Sequence, residues 1–280
     1  MHTAMTLRER YTEVMDRVAR AARRAGRSPS DILVVAVTKY AEPDQIRDLM
    51  AAGHRDFGEN KVQQLVQRSA MVGEFAERGR RFREAGATDL LFSPGAAAMA
   101  RWHMIGRLQR NKVKKCVETA RLIHSVDSLR LAEEIQTVAL KREHPVDILL
   151  QINCSGEPSK AGLAIPAAPH VADLLGTMIN VRLRGVMTMA PHGASESESR
   201  AVFERCRDCF EEMKRMGIGE DQHYENAGPG GFNILSMGMS GDFEAAIAEG
   251  ANVVRVGSAL FGEPAPDMDV SDDPEEREDD

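Results

Sequence analysis

Residues 32–39 read ILVVAVTK, a six-residue apolar run that ends in a threonine and a lysine. An apolar, β-branched run of this length predicts a buried strand, and Lys39 would lie where that strand opens onto a site. A low-dielectric position disfavours the charged form of a lysine and frees its lone pair for imine chemistry. The alternative is a strand that ends on a solvated lysine, and this segment alone does not separate the two.

Similar runs alternate with helical patterns along the rest of the chain. The predicted strands are 32–37, 54–57, 102–105, 122–126, 147–152, 181–187, 232–235 and 253–256. The predicted helices that follow are 44–51, 59–68, 109–119, 128–141, 166–177, 195–216 and 242–249, and an amphipathic helix, 7–25, precedes the first strand. This alternation predicts the α/β class and a (β/α)8 TIM-type barrel with an extra N-terminal helix, rather than a doubly wound sheet.

Composition bounds the kind of protein. The chain has 280 residues, of which 42% are hydrophobic, and it contains no apolar run near the length of roughly 20 residues that crosses a bilayer. The N-terminus lacks the apolar core of a signal peptide. Its four cysteines are too few for a disulfide framework and fit a reducing compartment. We therefore expect a cytoplasmic protein without a membrane partner.

The charge is concentrated at the C-terminus. Residues 263–280 contain ten acidic residues and one arginine, which leaves the rest of the chain near +2. This segment has no hydrophobic period, so it is predicted to be a disordered acidic tail after a folded domain spanning 1–262. The stretch 70–100 interrupts the alternation and is predicted to be an inserted surface loop or a mobile lid. Basic stretches without interleaved aromatics do not favour nucleic acid as a partner.

Polar or small residues follow the predicted strands, at the barrel face where functional groups gather. They include Lys39 after the first strand and Asn60 after the second. The turns after the last two strands, 235–240 and 256–258, combine glycine and serine, which suit a phosphate bound by backbone N–H groups. A phosphorylated carbonyl compound facing a lysine suggests pyridoxal phosphate as the cofactor.

The chain resembles the pyridoxal phosphate homeostasis protein family, single-domain relatives of the alanine racemase barrel. The segments that carry the resemblance are ILVVAVTK, DFGENKVQQL, WHMIGRLQRNK, IHSVDSLRLAEEI, ILLQINCSGEPSKAGL, LRGVMTMAP and LSMGMSGDFEAAIAEGANVVRVGSALFG. They extend from residue 33 to residue 262, with 70–100 as the interruption. Tyr40 departs from the family pattern, which often has threonine there.

The resemblance implies the role of each site residue. Lys39 would carry the internal aldimine, Asn60 would lie beside the ring, and Arg255 would face the pyridine nitrogen. Lys160 matches a second lysine thought to act in cofactor handling or release. The residues implied for the phosphate are Ser236, Gly257 and Ser258, with Met237 in the same turn.

The implied function is a binding protein that buffers pyridoxal 5'-phosphate and delivers it to apo-enzymes. A protonated arginine at the pyridine nitrogen weakens the ring as an electron sink, which disfavours catalysis. Three tyrosines are present, Tyr11, Tyr40 and Tyr224, and neither Tyr11 nor Tyr224 is predicted to serve as a proton shuttle. A weak amino-acid racemase, a cofactor-free Schiff-base aldolase and partner binding through 70–100 or the tail stay open as alternatives.

Two other patterns have simpler explanations. Cys206 and Cys209 form a C-x-x-C sequence inside a predicted helix, so a structural role is favoured over metal or redox chemistry. His103 and His124 lie in predicted strands and are expected to be hydrogen-bonded barrel histidines. No histidine has metal-ligand spacing, and no metal site is predicted.

Overall fold

The structure is a computed structural model that describes residues 5–84, 100–142, 144–157, 160–219 and 231–262. Eight parallel strands close into a barrel in the order β1-β2-β3-β4-β5-β7-β8-β9, and β9 pairs with β1. A two-residue strand, β6, extends the sheet outside β5. The strands are β1 (Leu33–Val37), β2 (Asp56–Glu59), β3 (Arg101–Met104), β4 (Leu122–Val126), β5 (Val146–Asn153), β6 (Leu163–Ala164), β7 (Val181–Met187), β8 (Ile234–Ser236) and β9 (Val253–Val256).

Helices surround the barrel and bury its outer face. They are α1 (Leu7–Arg24), α2 (Pro43–Ala51), α3 (Val62–Glu84), α4 (Val113–Thr119), α5 (Leu129–Ala139), α6 (Ala168–Gly176), α7 (Glu196–Arg215), α8 (Phe243–Ala248) and α9 (Ser258–Phe261). The N-terminal α1 lies against α8 and α9. Arg17 joins α1 to α8 through a 2.8 Å ion pair with Glu244 and by stacking over the ring of Phe243. Within the described residues, no helix is long and apolar enough to cross a membrane.

The predicted barrel and its N-terminal helix are therefore confirmed. The capping box at Ser195 and Glu198, which starts α7, is also present. Cys206 and Cys209 lie inside α7 with their side chains buried, as expected.

Two predicted boundaries around the second strand were wrong. This strand was placed at 54–57, but β2 spans Asp56–Glu59, so Glu59 is a strand residue and not the start of a helix. The following helix was predicted to end at residue 68, whereas α3 continues to Glu84. The first part of the stretch 70–100 is thus helical, and residues 85–99 lie outside the described residues, as do the predicted tail 263–280 and Tyr224.

Candidate functional site

Lys39 lies two residues beyond the end of β1, as predicted. Its side chain is half-buried, and its amine lies 4.8 Å from the centre of the Tyr40 ring. The register pairs Val37 with Gly58 of β2 and Ala36 with Val256 of β9. The lysine therefore sits between the ends of the two strands that lead to Asn60 and Gly257.

A buried acid holds the turn before Lys39. Glu59 is fully buried, and its carboxylate accepts a hydrogen bond from the Thr38 hydroxyl and pairs with Arg68 of α3 at 2.8 Å. Burial raises the pKa of Glu59, against the opposing charge of Arg68. From the sequence, Glu59 is expected among the polar residues after the second strand, at the start of a helix. Its burial inside β2 and its pairing with Arg68 are not part of that prediction.

Asn60 and Gly106 are in close contact at the ends of β2 and β3. The Asn60 side-chain oxygen Oδ1 is buried and has no hydrogen-bond partner among the described residues. A Cβ added to Gly106 would lie 2.2 Å from the Asn60 carbonyl oxygen, so only glycine allows this approach. A buried acceptor without a donor is unfavourable unless a bound group supplies one, which suits a ligand beside Asn60.

The turns after β8 and β9 meet through Ser240. Its hydroxyl accepts hydrogen bonds from the backbone N–H groups of Gly257 at 3.1 Å and Ala259 at 3.2 Å. Ser258 lies between them and is half-buried. Because these two N–H groups already donate to Ser240, the Ser240 and Ser258 hydroxyls are the groups of this turn that could donate to an anion. The residue at the cap position of α8 is Asp242, which accepts a hydrogen bond from the Met239 N–H at 2.6 Å.

Ser236 and Arg255 lie deeper, in the barrel interior. The guanidinium of Arg255 donates to the Ser236 hydroxyl at 2.7 Å and to the Thr188 carbonyl at 2.9 Å. Burial lowers the pKa of Arg255 to about 10, so the group stays protonated at neutral pH. Met237 is fully buried, and its backbone N–H donates to the Val253 carbonyl at 3.1 Å. The predicted contacts of Ser236 and Met237 with a phosphate stay predictions.

Lys160 lies apart from these groups, on the loop after β5. Its amine donates to the Ala190 carbonyl at 3.2 Å and pairs with Glu157 at 3.1 Å. The same loop borders a depression lined by Asn153 and Arg205. The structure therefore brings Lys39, Asn60, Gly257 and Ser258 to the ends of three adjacent strands and leaves Lys160 on a separate loop.

Together these features define a parallel (β/α)8 barrel with the Lys39 amine and the Ser240 and Ser258 hydroxyls near the C-terminal ends of its strands. The model of the family described as alanine racemase, N-terminal domain, matches residues 13–265. A pyridoxal phosphate homeostasis protein of Pseudomonas aeruginosa is 33% identical over 92% of this chain and 95% of its own length. One from Escherichia coli K12 is 35% identical over 89% of this chain and 93% of its own length. The chain belongs to this family of pyridoxal phosphate homeostasis proteins, within the alanine racemase N-terminal domain family.

Solved structures agree with this assignment. PipY of Synechococcus elongatus with pyridoxal phosphate bound is 30% identical and superposes with a TM-score of 0.68 over 88% of this chain and all, 100%, of PipY. A protein of unknown function from Bifidobacterium adolescentis is 36% identical, with a TM-score of 0.75 over 91% of this chain and 94% of its own. An alanine racemase from Clostridium difficile, 15% identical, shares the fold alone, with a TM-score of 0.57 over 90% of this chain and 57% of the racemase.

Proposed function

We propose that this protein binds pyridoxal 5'-phosphate at the C-terminal mouth of the barrel, limits its free concentration and delivers it to apo-enzymes in the cytoplasm. The observation that carries the proposal is the likeness to PipY, whose structure contains pyridoxal phosphate. The match covers 100% of PipY and 88% of this chain. The names of the curated relatives support the homeostasis role. The delivery step and the compartment are part of the proposal.

The residues at the mouth fit the cofactor. Pyridoxal phosphate supplies an aldehyde that condenses with an amine, and an electron-withdrawing ring. Lys39 offers the amine at a half-buried position, and the Ser240 and Ser258 hydroxyls, on the turns after β8 and β9, are proposed to donate to the phosphate. Among the described residues, no donor reaches the buried Asn60 Oδ1, which follows β2, the strand next to the one that leads to Lys39.

Arg255 favours a carrier over a catalyst. A guanidinium has donors and no acceptor, so it can donate to a pyridine nitrogen but cannot give up its proton readily. Its pKa of about 10 leaves it charged at neutral pH despite complete burial. A ring nitrogen held in this way stays unprotonated and stabilises carbanions poorly. Arg255 is therefore proposed to orient the ring without activating it.

The racemase alternative is not favoured. The likeness to alanine racemases shows the fold alone, because the identity is low and the chain matches just over half of the racemase. Of the two described tyrosines, Tyr11 is remote from Lys39: its hydroxyl lies 3.5 Å from His54 Nδ1, in the turn before β2 at the opposite end of the barrel. Tyr40 is the neighbour of Lys39, and its ring centre lies 4.8 Å from the Lys39 amine. Turnover of an amino acid that depends on Lys39 would restore the racemase alternative.

The first test is the absorption spectrum of the full chain after incubation with pyridoxal phosphate and removal of the excess. We expect a band at the visible edge of the ultraviolet in the wild-type protein. Lys39→Ala and Lys39→Arg should both lose it, because neither side chain has a free amine, while the exposed-lysine variant Lys141→Ala should keep it. A band of unchanged position and intensity in Lys39→Ala would remove the proposal.

Lys160 is proposed to assist release of the cofactor. Its amine is held by a backbone carbonyl and by Glu157, on a loop that follows β5 of the barrel. We expect Lys160→Ala to bind the cofactor as the wild-type protein does and to transfer it more slowly to an apo-enzyme, measured by the recovery of that enzyme's activity. Transfer at the wild-type rate would leave Lys160 as an ordinary loop lysine.

A further inference from the structure

Five buried polar side chains form a continuous row through the barrel interior, named here the interior chain. The Arg255 Nη1 group lies 2.7 Å from Ser236 Oγ, and Ser236 Oγ lies 3.0 Å from His124 Nδ1. His124 Nε2 lies 2.9 Å from His103 Nδ1, and His103 Nε2 lies 3.1 Å from Asp56 Oδ1. The row thus runs from Arg255 on β9 to Asp56 at the start of β2.

Solvent has little access to the interior chain. Each of its members is at most 4% exposed, and His124 and Ser236 are fully buried. Buried polar groups have to satisfy one another, because water is not there to take an unused proton or lone pair. Each hydrogen along the row must therefore point at a neighbour that can accept it.

With two neutral histidine rings and an ionised Asp56, counting donors and acceptors gives the row a single direction. Arg255 has no acceptor, so it must donate to Ser236, and the one hydroxyl proton of Ser236 is then free to go to His124 Nδ1. His124 consequently carries its proton on Nε2 and donates it to His103 Nδ1. His103 then carries its proton on Nε2 and donates it to the Asp56 carboxylate, which accepts.

The reverse direction needs one more proton. If His124 donated from Nδ1 to Ser236, its Nε2 would have to accept from His103. His103 would then have to be doubly protonated, or Asp56 would have to be a neutral acid, for the last link to survive. The hydrogen bonds from His103 and Arg101 outweigh the effect of burial and lower the pKa of Asp56 to about 2, so Asp56 is an acceptor at neutral pH.

We infer that the interior chain holds His103 and His124 as neutral Nε2-protonated tautomers, and that these two histidines, with Ser236, are positioning residues for Arg255. Arg255 has two acceptors among the described contacts, the Thr188 carbonyl and Ser236, and the second is itself oriented by His124. The tautomers follow from the protein alone. The functional importance of a fixed Arg255 orientation rests on the proposed function, in which this guanidinium donates to the pyridine nitrogen.

The surroundings of His124 agree with a neutral ring. Burial is the main cause of a His124 pKa well below its ordinary value, and positive charge on His103 or on Arg255 lowers it further. The tautomer assignment itself depends on the hydrogen-bond count and the four distances along the row.

The test is nitrogen NMR of the full-length wild-type protein labelled with ¹⁵N-histidine, without added cofactor at neutral pH. Bare and protonated ring nitrogens have well-separated chemical shifts, and residue assignment uses the His103→Gln and His124→Asn spectra. We expect Nδ1 bare and Nε2 protonated in both His103 and His124. A proton on His124 Nδ1, or a doubly protonated His103, would overturn the inference. The tautomers are read from the wild-type spectrum, and the two variants serve only to assign its signals.

Variants test the positioning role. Ser236→Ala removes one of the two described acceptors of Arg255, the one that Nη1 uses. The Nη1 hydrogens should therefore exchange with solvent roughly tenfold faster or more, as expected for loss of a hydrogen bond to a charged group. His54→Gln is the matched control, since His54 is buried near Asp56 but no ring nitrogen of it belongs to the interior chain. Exchange as slow in Ser236→Ala as in the wild-type protein would overturn the positioning role.

The cofactor-loaded protein separates this inference from the proposed function. With pyridoxal phosphate added, Ser236→Ala and His124→Asn should shift the absorption band, whereas His54→Gln should not. Bands that coincide with the wild-type band in all three variants would overturn the link to the cofactor. A wild-type protein that shows the expected tautomers but binds no pyridoxal phosphate would refute the proposed function and still support the tautomers inferred for the interior chain.

Discussion

Asp56→Asn perturbs the end of the interior chain, and its effect should depend on pH in a defined way. Asp56 accepts hydrogen bonds from His103 and from Arg101, the latter at 2.7 Å. Although burial alone would raise its pKa, these donors lower it from 3.8 to about 2. A depression of this size corresponds to about 2.5 kcal/mol of folding free energy at pH 7, because one pKa unit is about 1.4 kcal/mol.

The sign follows from the direction of the shift. A carboxylate with a lowered folded pKa stabilises the native state fully above its unfolded pKa, and the stabilisation is lost as pH falls through the folded pKa. Urea unfolding should therefore show a gap between wild type and Asp56→Asn of about 2.5 kcal/mol at pH 7 and about half of that near pH 3. The exposed Asp44→Asn is the control and should change the free energy of unfolding by less than about 0.5 kcal/mol. A gap of the same size at pH 7 and pH 3 would refute the reasoning.

Two further substitutions test the packing that positions the site. Gly106→Ala should lower the free energy of unfolding by about 1–3 kcal/mol and weaken cofactor binding, because its Cβ would collide with the Asn60 backbone. Its control is Gly73→Ala, whose Cβ meets nothing within 4 Å and which should be neutral or stabilising. Phe243→Ala should cost about 3–5 kcal/mol in urea unfolding, since the ring is fully buried at the start of α8, while Leu140→Ala, 62% exposed, should change little. A large loss in either control, or none in either test variant, would contradict the packing described.

The positions of most strands along the chain could be predicted, because strands buried on both faces appear as continuous apolar runs. The run 32–37 and β1 (Leu33–Val37) nearly coincide. The second strand is the exception, since β2 contains Asp56 and Glu59. Their burial depends on Arg101, 45 positions away from Asp56, and on Arg68 of α3. No local pattern shows such a pairing, so β2 and the start of α3 were displaced.

The site could be predicted in part for a related reason. Parallel strands end at the same edge, so Lys39 and Asn60 could be placed together from their positions after two strands. The contacts of Ser240 could not be predicted, because its hydroxyl accepts from N–H groups 17 and 19 positions away. These groups approach it only when the barrel closes. His103 and His124 were expected to be hydrogen-bonded, and this is confirmed, but the order of the links required the structure.

The central claim is a covalent bond between Lys39 and pyridoxal phosphate. The direct measurement is borohydride reduction of the loaded full-length protein, followed by proteolysis and mass spectrometry of the labelled peptide. We expect one labelled lysine, Lys39, and no label at that position in Lys39→Arg. Label confined to another lysine, or no label after reduction of a protein that retains the cofactor, would contradict it.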